Sequence, residues 1–226
     1  MNIQGFQKLT LLDFPGTMAC IVFTGGCNFR CPFCHNSSLV LKPKENNNLE
    51  KEVLQYLAGR KNILDGVCIT GGEPLLQPDL IDFIAKVREL GYRVKLDTNG
   101  YSPEKLKEVL DMQFVDYVAM DIKSGRSTYE KLCGTKIDFS KIEQSIELLK
   151  SSNVPYEFRT TAVKHLHTMA DFAELAQDIA GAPKYYIQKF VDSGAVLEQG
   201  YTAFTEEEMK TILEIVQRTI PNAAIR

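Results

Sequence analysis

Three cysteines within eight residues carry the clearest chemical signal in the sequence. Cys27, Cys31 and Cys34 lie in the run Gly-Gly-Cys-Asn-Phe-Arg-Cys-Pro-Phe-Cys-His of residues 25–35. Three thiolates on one short loop can hold three corners of a metal cluster and leave a fourth corner open, where a small molecule can bind and react. A structural zinc site would instead be closed, and His35 offers the fourth ligand for that alternative.

The composition predicts one domain over residues 1–226, with no surface suited to nucleic acid or membrane. The hydrophobic content is 44%, and the net charge of −3 comes from interleaved acidic and basic residues without a basic stripe. The first residues lack the pattern of a secretory signal and the six cysteines are unevenly spread, so we expect a reducing cytoplasm. Cys20 and Cys68 lie in apolar strand patterns and are expected to be inert core thiols.

Short β-rich runs alternate with amphipathic helical patterns along the chain. This alternation predicts an α/β fold built from βα units around a parallel sheet. The six predicted strands are residues 19–24, 66–70, 92–98, 116–122, 155–162 and 184–190. Helix starts are predicted at Ser102 with Pro103 and at three capping-box pairs, which are Ser140 with Glu143, Thr168 with Asp171 and Thr205 with Glu208; Gly91 predicts a helix end.

Unusual polar residues follow the predicted strands. They occupy residues 70–74, 97–100 and 121–123, alternate along the fifth strand as Glu157, Arg159 and Thr161, and include Gln188 on the sixth strand. Each set alone could be an ordinary turn or a solvated pair. Because the carboxyl ends of parallel strands meet at one edge, we expect these side chains to form a single site.

These residues together carry a family resemblance. The Cys-x3-Cys-x2-Cys spacing, with Phe33 before its last cysteine and Gly-Gly-Glu-Pro at residues 71–74, resembles the radical S-adenosylmethionine superfamily. Residues 34–36, 97–100 and 121–123 resemble the group within it that activates glycyl radical enzymes. Residues 5–16 and 158–161 are similar to short activators of anaerobic ribonucleoside-triphosphate reductase. The resemblance implies a partial (β/α)6 barrel with outer helices, in which residues 1–18 are an extension, 19–190 the core and 191–226 a C-terminal loop and helix.

The resemblance also implies two cofactors and the residues that bind them. Cys27, Cys31 and Cys34 would bind three irons of a [4Fe-4S] cluster, and S-adenosylmethionine would bind the fourth iron. The residues implied in S-adenosylmethionine binding are Phe33 against the adenine, Cys34 and His35 through their main chain, and Gly71, Gly72, Glu73 and Pro74 at the methionine amino group. Its carboxylate would meet Lys123 and Arg159. Asn99 in the motif of residues 97–100 and Ile122 in the motif of residues 121–123 are also implied in binding.

Two further site features follow from the same resemblance. Asp97, Thr98 and Asp121 match residues that hold a monovalent cation in some activators. Gln188 and the residues after it replace a histidine that pyruvate formate-lyase activators carry after the sixth strand, so the contact there stays open. No cysteine lies between Cys34 and Cys68, so the ferredoxin-like insert of other activators is missing.

The implied reaction is generation of a glycyl radical on a partner enzyme. A flavodoxin or ferredoxin would reduce the cluster, and the 5′-deoxyadenosyl radical from S-adenosylmethionine would remove a hydrogen atom from a glycine α carbon. The expected partner is anaerobic ribonucleoside-triphosphate reductase. The alternatives are pyruvate formate-lyase or another glycyl radical enzyme, an RNA or small-metabolite substrate, and a structural zinc module. His165 and His167 are expected to lie on the surface.

Overall fold

The fold is built around one eight-stranded sheet. The computed structural model describes residues 1–41, 43–44, 48–192 and 194–226. The strands are β1 Ile3–Thr10, β2 Ala19–Thr24, β3 Gly66–Gly71, β4 Arg93–Thr98, β5 Tyr117–Asp121, β6 Tyr156–Ala162, β7 Tyr185–Lys189 and β8 Ala223–Ile225. They are ordered in the sheet as in the chain, with β1 antiparallel to β2 and every other neighbouring pair parallel. Within the described residues β1 and β8 are the two edges, so the curved sheet is a partial barrel that stays open between them.

Helices connect the parallel strands and cover the outside of the sheet. They are α1 Ser37–Leu41, α2 Leu49–Ala58, α3 Leu80–Glu89, α4 Pro103–Asp111, α5 Tyr129–Cys133, α6 Phe139–Ser151, α7 Met169–Asp178 and α8 Glu206–Gln217, with 3-10 turns at Pro74–Leu76 and Arg126–Thr128. In the part of the chain that the structure describes, no helix is both long and apolar enough to cross a membrane.

Local sequence signals set most of the helix ends. The capping boxes at Thr168 and Thr205 are confirmed, with reciprocal side-chain and main-chain hydrogen bonds. The capping box predicted at Ser140 is wrong, because α6 begins at Phe139 and its N-cap is Asp138. The Asp138 carboxylate accepts a hydrogen bond from the Ser140 main-chain N–H at 3.0 Å. Gly91 ends α3 as predicted, with a φ of +91°.

The two faces of the sheet differ in polarity. Val94 and Leu96 on β4 pack in the main hydrophobic core together with residues of the outer helices, whereas Lys95, between them, belongs to the opposite face. The inner face is polar toward the carboxyl ends of the strands. At the amino ends of the strands Phe14 is fully buried and packs against Tyr117, with a distance of 6.3 Å between the ring centroids. This pair covers the end of the barrel opposite the polar one.

The six predicted strands and the α/β partial barrel are confirmed, but the strand count is too low by two. The first missed strand, β1, contains Gly5 and lacks an alternating pattern of burial because it is an edge strand with irregular pairing. The second, β8, has only three residues and pairs in parallel with β7. The sheet therefore extends into both segments that flank the predicted core.

Candidate active site

A cavity of about 240 Å³ lies at the carboxyl ends of the strands. Its lining includes the predicted cofactor and cluster residues Cys27, Cys31, Phe33, Cys34, His35, Gly71, Gly72, Glu73, Asp97, Thr98, Asn99, Asp121, Lys123, Arg159 and Gln188, the expected polar residues Thr70 and Thr161, and in addition Phe29, Asn36 and Val40. Glu157, predicted beside Arg159 and Thr161, is not in the lining. Pro74 and Ile122 are not in the lining; both are buried, Pro74 at the start of a 3-10 turn and Ile122 in the hydrophobic core. The shared strand edge thus gathers residues that are far apart in the sequence.

The cysteine loop is held in shape by main-chain contacts. The Arg30 side chain folds back and donates to the main-chain oxygens of Cys27 at 2.6 Å and Phe29 at 2.7 Å. Its own main-chain N–H donates to the Cys133 carbonyl at 2.8 Å. Gly134, at a φ of +66°, permits this contact, because a Cβ there would lie 2.1 Å from the Arg30 oxygen. The loop is therefore anchored to the end of α5.

The surroundings of the cysteine side chains bear on the alternative of a single bound zinc ion. Burial raises the pKa of the Cys27 thiol to about 11 and that of Cys31 to about 12, so a metal must bind to favour the thiolates. Among the described residues, no three His, Cys, Asp or Glu side chains are grouped so as to hold one metal ion. The exposed His35 ring stacks on Phe190 at 5.5 Å. These contacts give no support to a closed zinc site.

The Gly-Gly-Glu-Pro segment packs directly on the cysteine loop. The main-chain N–H of Gly72 donates to the Thr24 oxygen at 2.9 Å, and that of Glu73 donates to the Gly26 oxygen at 2.8 Å. A Cβ on Gly72 would lie 1.9 Å from the same Gly26 oxygen. The sequence explains this glycine by close approach of a ligand, but the structure shows close approach of another protein backbone.

The Glu73 carboxylate joins two loops inside the protein. It is 1% exposed and accepts hydrogen bonds from the main-chain N–H groups of Leu75 at 3.0 Å and Asn99 at 2.7 Å, and from the Thr98 hydroxyl at 2.7 Å. Burial raises its pKa to about 7, although these donors act in the opposite direction. Glu73 therefore fixes the loop after β4 against the loop after β3.

Five charged side chains form a ladder inside the barrel. Asp97 accepts from Lys95 and, at 3.2 Å, from Arg159; Asp121 accepts from Arg159 at 2.9 Å and from Lys123 at 3.1 Å. Burial opposes ionisation of Asp121, but Arg159 and Lys123 outweigh it and lower its pKa to about 2. Within the ladder itself, three cations and two carboxylates leave one excess positive charge.

The same contacts bear on the predicted monovalent cation. Both carboxylates of the ladder already accept from protein cations, and the Thr98 hydroxyl donates to Glu73 instead of facing Asp97 or Asp121. The described contacts therefore give no support to a shared cation site at these three residues, which stays a prediction from the resemblance.

His167 is buried, so the expectation that it lies on the surface is wrong. It is 4% exposed, its Nε2 lies 2.8 Å from the Lys123 carbonyl oxygen, and its ring stacks on Phe172 at 5.2 Å and lies 6.4 Å from Phe33. Burial lowers its pKa, so the neutral ring that donates to Lys123 is favoured. No local pattern distinguishes it from His165, which is exposed as expected.

The free cysteines outside the loop are buried. Cys20, Cys68 and Cys133 are each 0% exposed, and burial raises the pKa of each thiol, to about 12 for Cys20. Cys20 and Cys68 are therefore core thiols, and their inert behaviour stays a prediction.

Comparisons with known proteins identify the family of this chain. Residues 21–179 match the family model of the radical SAM superfamily. A protein of Methanocaldococcus jannaschii named as a glycyl-radical enzyme activating enzyme is 31% identical over 99% of this chain and 95% of its own length. The pyruvate formate-lyase-activating enzyme of Clostridium pasteurianum is 35% identical over an alignment that covers 54% of this chain and 52% of that enzyme.

A solved structure adds the fold. Streptococcus suis SuiB bound to S-adenosylmethionine has a TM-score of 0.67 at 15% identity, over 89% of this chain and 48% of SuiB. Because the identity is low, this likeness concerns the fold alone. The superfamily to which the matched family model refers uses a [4Fe-4S] cluster and S-adenosylmethionine. The chain is an enzyme of the radical SAM superfamily.

Proposed function

We propose that this protein is an activating enzyme that generates a glycyl radical on a partner enzyme. The observation that carries the proposal is the relative named for this activity, which aligns with 99% of the chain and 95% of its own length. The motifs at residues 34–36, 97–100 and 121–123 are consistent with the same group.

The cavity fits the two cofactors that the family implies. Cys27, Cys31 and Cys34 line it together and would bind three irons of a [4Fe-4S] cluster. Lys123 and Arg159 also line it and belong to a ladder with one excess positive charge, which suits the carboxylate of S-adenosylmethionine. When bound, the cluster and S-adenosylmethionine supply one-electron reductive cleavage and removal of a hydrogen atom from the substrate.

The protein itself would bind, orient and exclude water. Glu73 holds the loops after β3 and β4 together, and the contact between Gly72 and Gly26 keeps the cysteine loop against them. Phe33 is 5% exposed and, with His167 behind it, would form an apolar wall for the adenine. These groups are ordered by the fold, so little rearrangement would be needed on binding.

The substrate would be a glycine-containing loop of a protein, and the partner that we propose is anaerobic ribonucleoside-triphosphate reductase. The motifs at residues 5–16 and 158–161 support this partner. The cavity lies at the strand ends of a barrel that is not closed, which leaves a side from which a loop could enter. A reduced flavodoxin or ferredoxin would supply the electron, and the reaction would take place in the cytoplasm.

The test is anaerobic reconstitution followed by incubation with reductant, S-adenosylmethionine and the candidate reductase. We expect a doublet electron paramagnetic resonance signal in the reductase, and deuterium from α-labelled glycine in 5′-deoxyadenosine. The Cys31→Ala variant is the matched control and should give neither. A signal in pyruvate formate-lyase alone would keep the activity and change the partner. Cofactor cleavage without a radical in any glycyl radical enzyme would refute the proposed activity.

A further inference from the structure

The side chain of Asn99 connects the loop after β4 with the cysteine loop. Asn99 is 5% exposed, and its Nδ2 lies 2.7 Å from Asn28 Oδ1 and 3.8 Å from Cys27 Sγ. Its Oδ1 accepts from the main-chain N–H of Tyr101 at 3.0 Å. Because that N–H can only donate, the amide is oriented with its oxygen toward Tyr101 and its NH2 group toward the cysteine loop.

The position of Asn99 is fixed by a second contact. Its main-chain N–H donates to the buried Glu73 carboxylate at 2.7 Å, so both the main chain and the side chain are held. The Cys27 sulfur also accepts from the main-chain N–H of Phe29 at 3.3 Å. Two N–H groups therefore converge on the sulfur of one cysteine that would bind an iron.

We infer that Asn99 is a positioning residue that donates a hydrogen bond to the Cys27 sulfur and thereby raises the reduction potential of the cluster. The inference rests on the proposed function, because it requires Cys27 to bind an iron. A hydrogen bond to sulfur stabilises negative charge, and the reduced cluster carries one more electron than the oxidised one. The bond therefore favours the reduced state.

A purely structural role for Asn99 predicts something different. If its amide only shaped the loop through Asn28, its loss would lower the amount of cluster that assembles and leave the potential of the assembled cluster unchanged. The reduction potential separates the two roles, because it is measured only on molecules that contain the cluster. It also requires neither the partner enzyme nor turnover.

The experiment compares Asn99→Ala and Asn99→Asp with the wild type after anaerobic reconstitution of the full chain. Iron and sulfide contents give the cluster occupancy, and a redox titration monitored by electron paramagnetic resonance gives the ratio of reduced to oxidised cluster. We expect Asn99→Ala to lower this ratio about tenfold at a fixed potential, which is about 59 mV for one electron. Asn99→Asp should lower it further, because it replaces the donor by a carboxylate oxygen.

Asn153→Asp is the matched control for the change in charge. Asn153 is exposed and precedes β6, at the end of the barrel opposite the cavity, so its variant should titrate like the wild type. Wild-type potentials in cluster-loaded Asn99→Ala and Asn99→Asp would overturn the inference. If neither variant assembles a cluster, the Asn28→Ala variant provides the test. This substitution removes the oxygen that holds the Asn99 amide and leaves Cys27 in place.

We expect Asn28→Ala to shift the ratio in the same direction by a smaller factor, and an unshifted ratio would contradict the inference. Failure of the proposed function would look different. A Cys27→Ala variant that retained a full cluster, or a wild type that assembled none, would remove the cluster assignment and the role of Asn99 with it, whereas wild-type potentials in loaded Asn99 variants would remove the role of Asn99 alone.

Discussion

The contact between Gly72 and Gly26 predicts that the substitution Gly72→Ala disrupts the site through protein packing alone. The added Cβ would lie 1.9 Å from the Gly26 oxygen and 2.7 Å from its carbonyl carbon, whereas a Cβ contact below 3.0 Å is essentially never found. Gly72 does not have a positive φ, so backbone strain does not contribute. The carbonyl of Gly26 must therefore move by about 1 Å.

The energetic cost follows from two terms. Inserting a methyl group into packed structure costs about 1–3 kcal/mol. The hydrogen bond from the Glu73 main-chain N–H to the Gly26 oxygen, 2.8 Å long in the wild type, contributes about 1 kcal/mol more when it is lost. For a chain of this size a total of about 2–4 kcal/mol corresponds to a fall in Tm of roughly 4–16 °C. Because Gly26 precedes Cys27, the displacement also reaches the cluster loop.

The assay measures Tm of the apo protein and iron bound per chain after reconstitution. Gly72→Ala should lower both. Gly5→Ala is the matched control, since a Cβ there has nothing within 4 Å and the residue has no positive φ, and it should change neither quantity by much. A Gly72→Ala protein with wild-type Tm and iron content would refute the packing argument. Close approach of the ligand would then be the better explanation for this glycine.

Three further predictions concern single side chains. Burial raises the Glu73 pKa from 4.5 to about 7, so Glu73 contributes stability that is present below pH 4.5 and lost as pH rises through about 7, by at most about 3 kcal/mol. The free energy of unfolding in urea, plotted against pH over this range, should therefore fall more steeply for the wild type than for Glu73→Gln, and parallel plots would contradict the prediction. Alanine at Cys27, Cys31 or Cys34 should abolish iron binding and cofactor cleavage, whereas Cys20→Ala should retain both, and a cluster lost from Cys20→Ala would contradict the ligand assignment. His167→Phe keeps a ring beside Phe172 but removes the hydrogen bond to the Lys123 carbonyl, so the Kd for S-adenosylmethionine should rise about threefold to tenfold in a binding titration; an unchanged Kd would count against its positioning role.

The strands were predictable where burial imposes a pattern. Each of the six predicted strands has an apolar outer face under the helices, and turn residues mark its ends, so the sequence contains both the period and the boundaries. Edge strand β1 lacks this constraint because one of its sides pairs with nothing within the described sheet. The three residues of β8 are too few for a period to be read.

The location of the site was predictable for a topological reason, but the contacts within it were not. Parallel strands place their carboxyl ends at one edge, so polar residues after successive strands must meet. Which of them face a ligand depends on contacts distant in sequence. The Glu73 carboxylate faces Asn99, 26 residues away, and the His167 ring faces the Lys123 carbonyl, 44 residues away. No local pattern encodes either pairing.

The charge ladder links the stability of the barrel to its binding function. Buried ion pairs are tolerated when each charge has partners, and in this ladder each carboxylate lies between two cations. The ladder therefore contains one more cation than carboxylates. Arg159 and Lys123 line the cavity while Lys95 does not, so two of its three cations are available on the cavity side. An anionic group bound there would complete the pairing, and the barrel core is consequently most stable with its ligand bound.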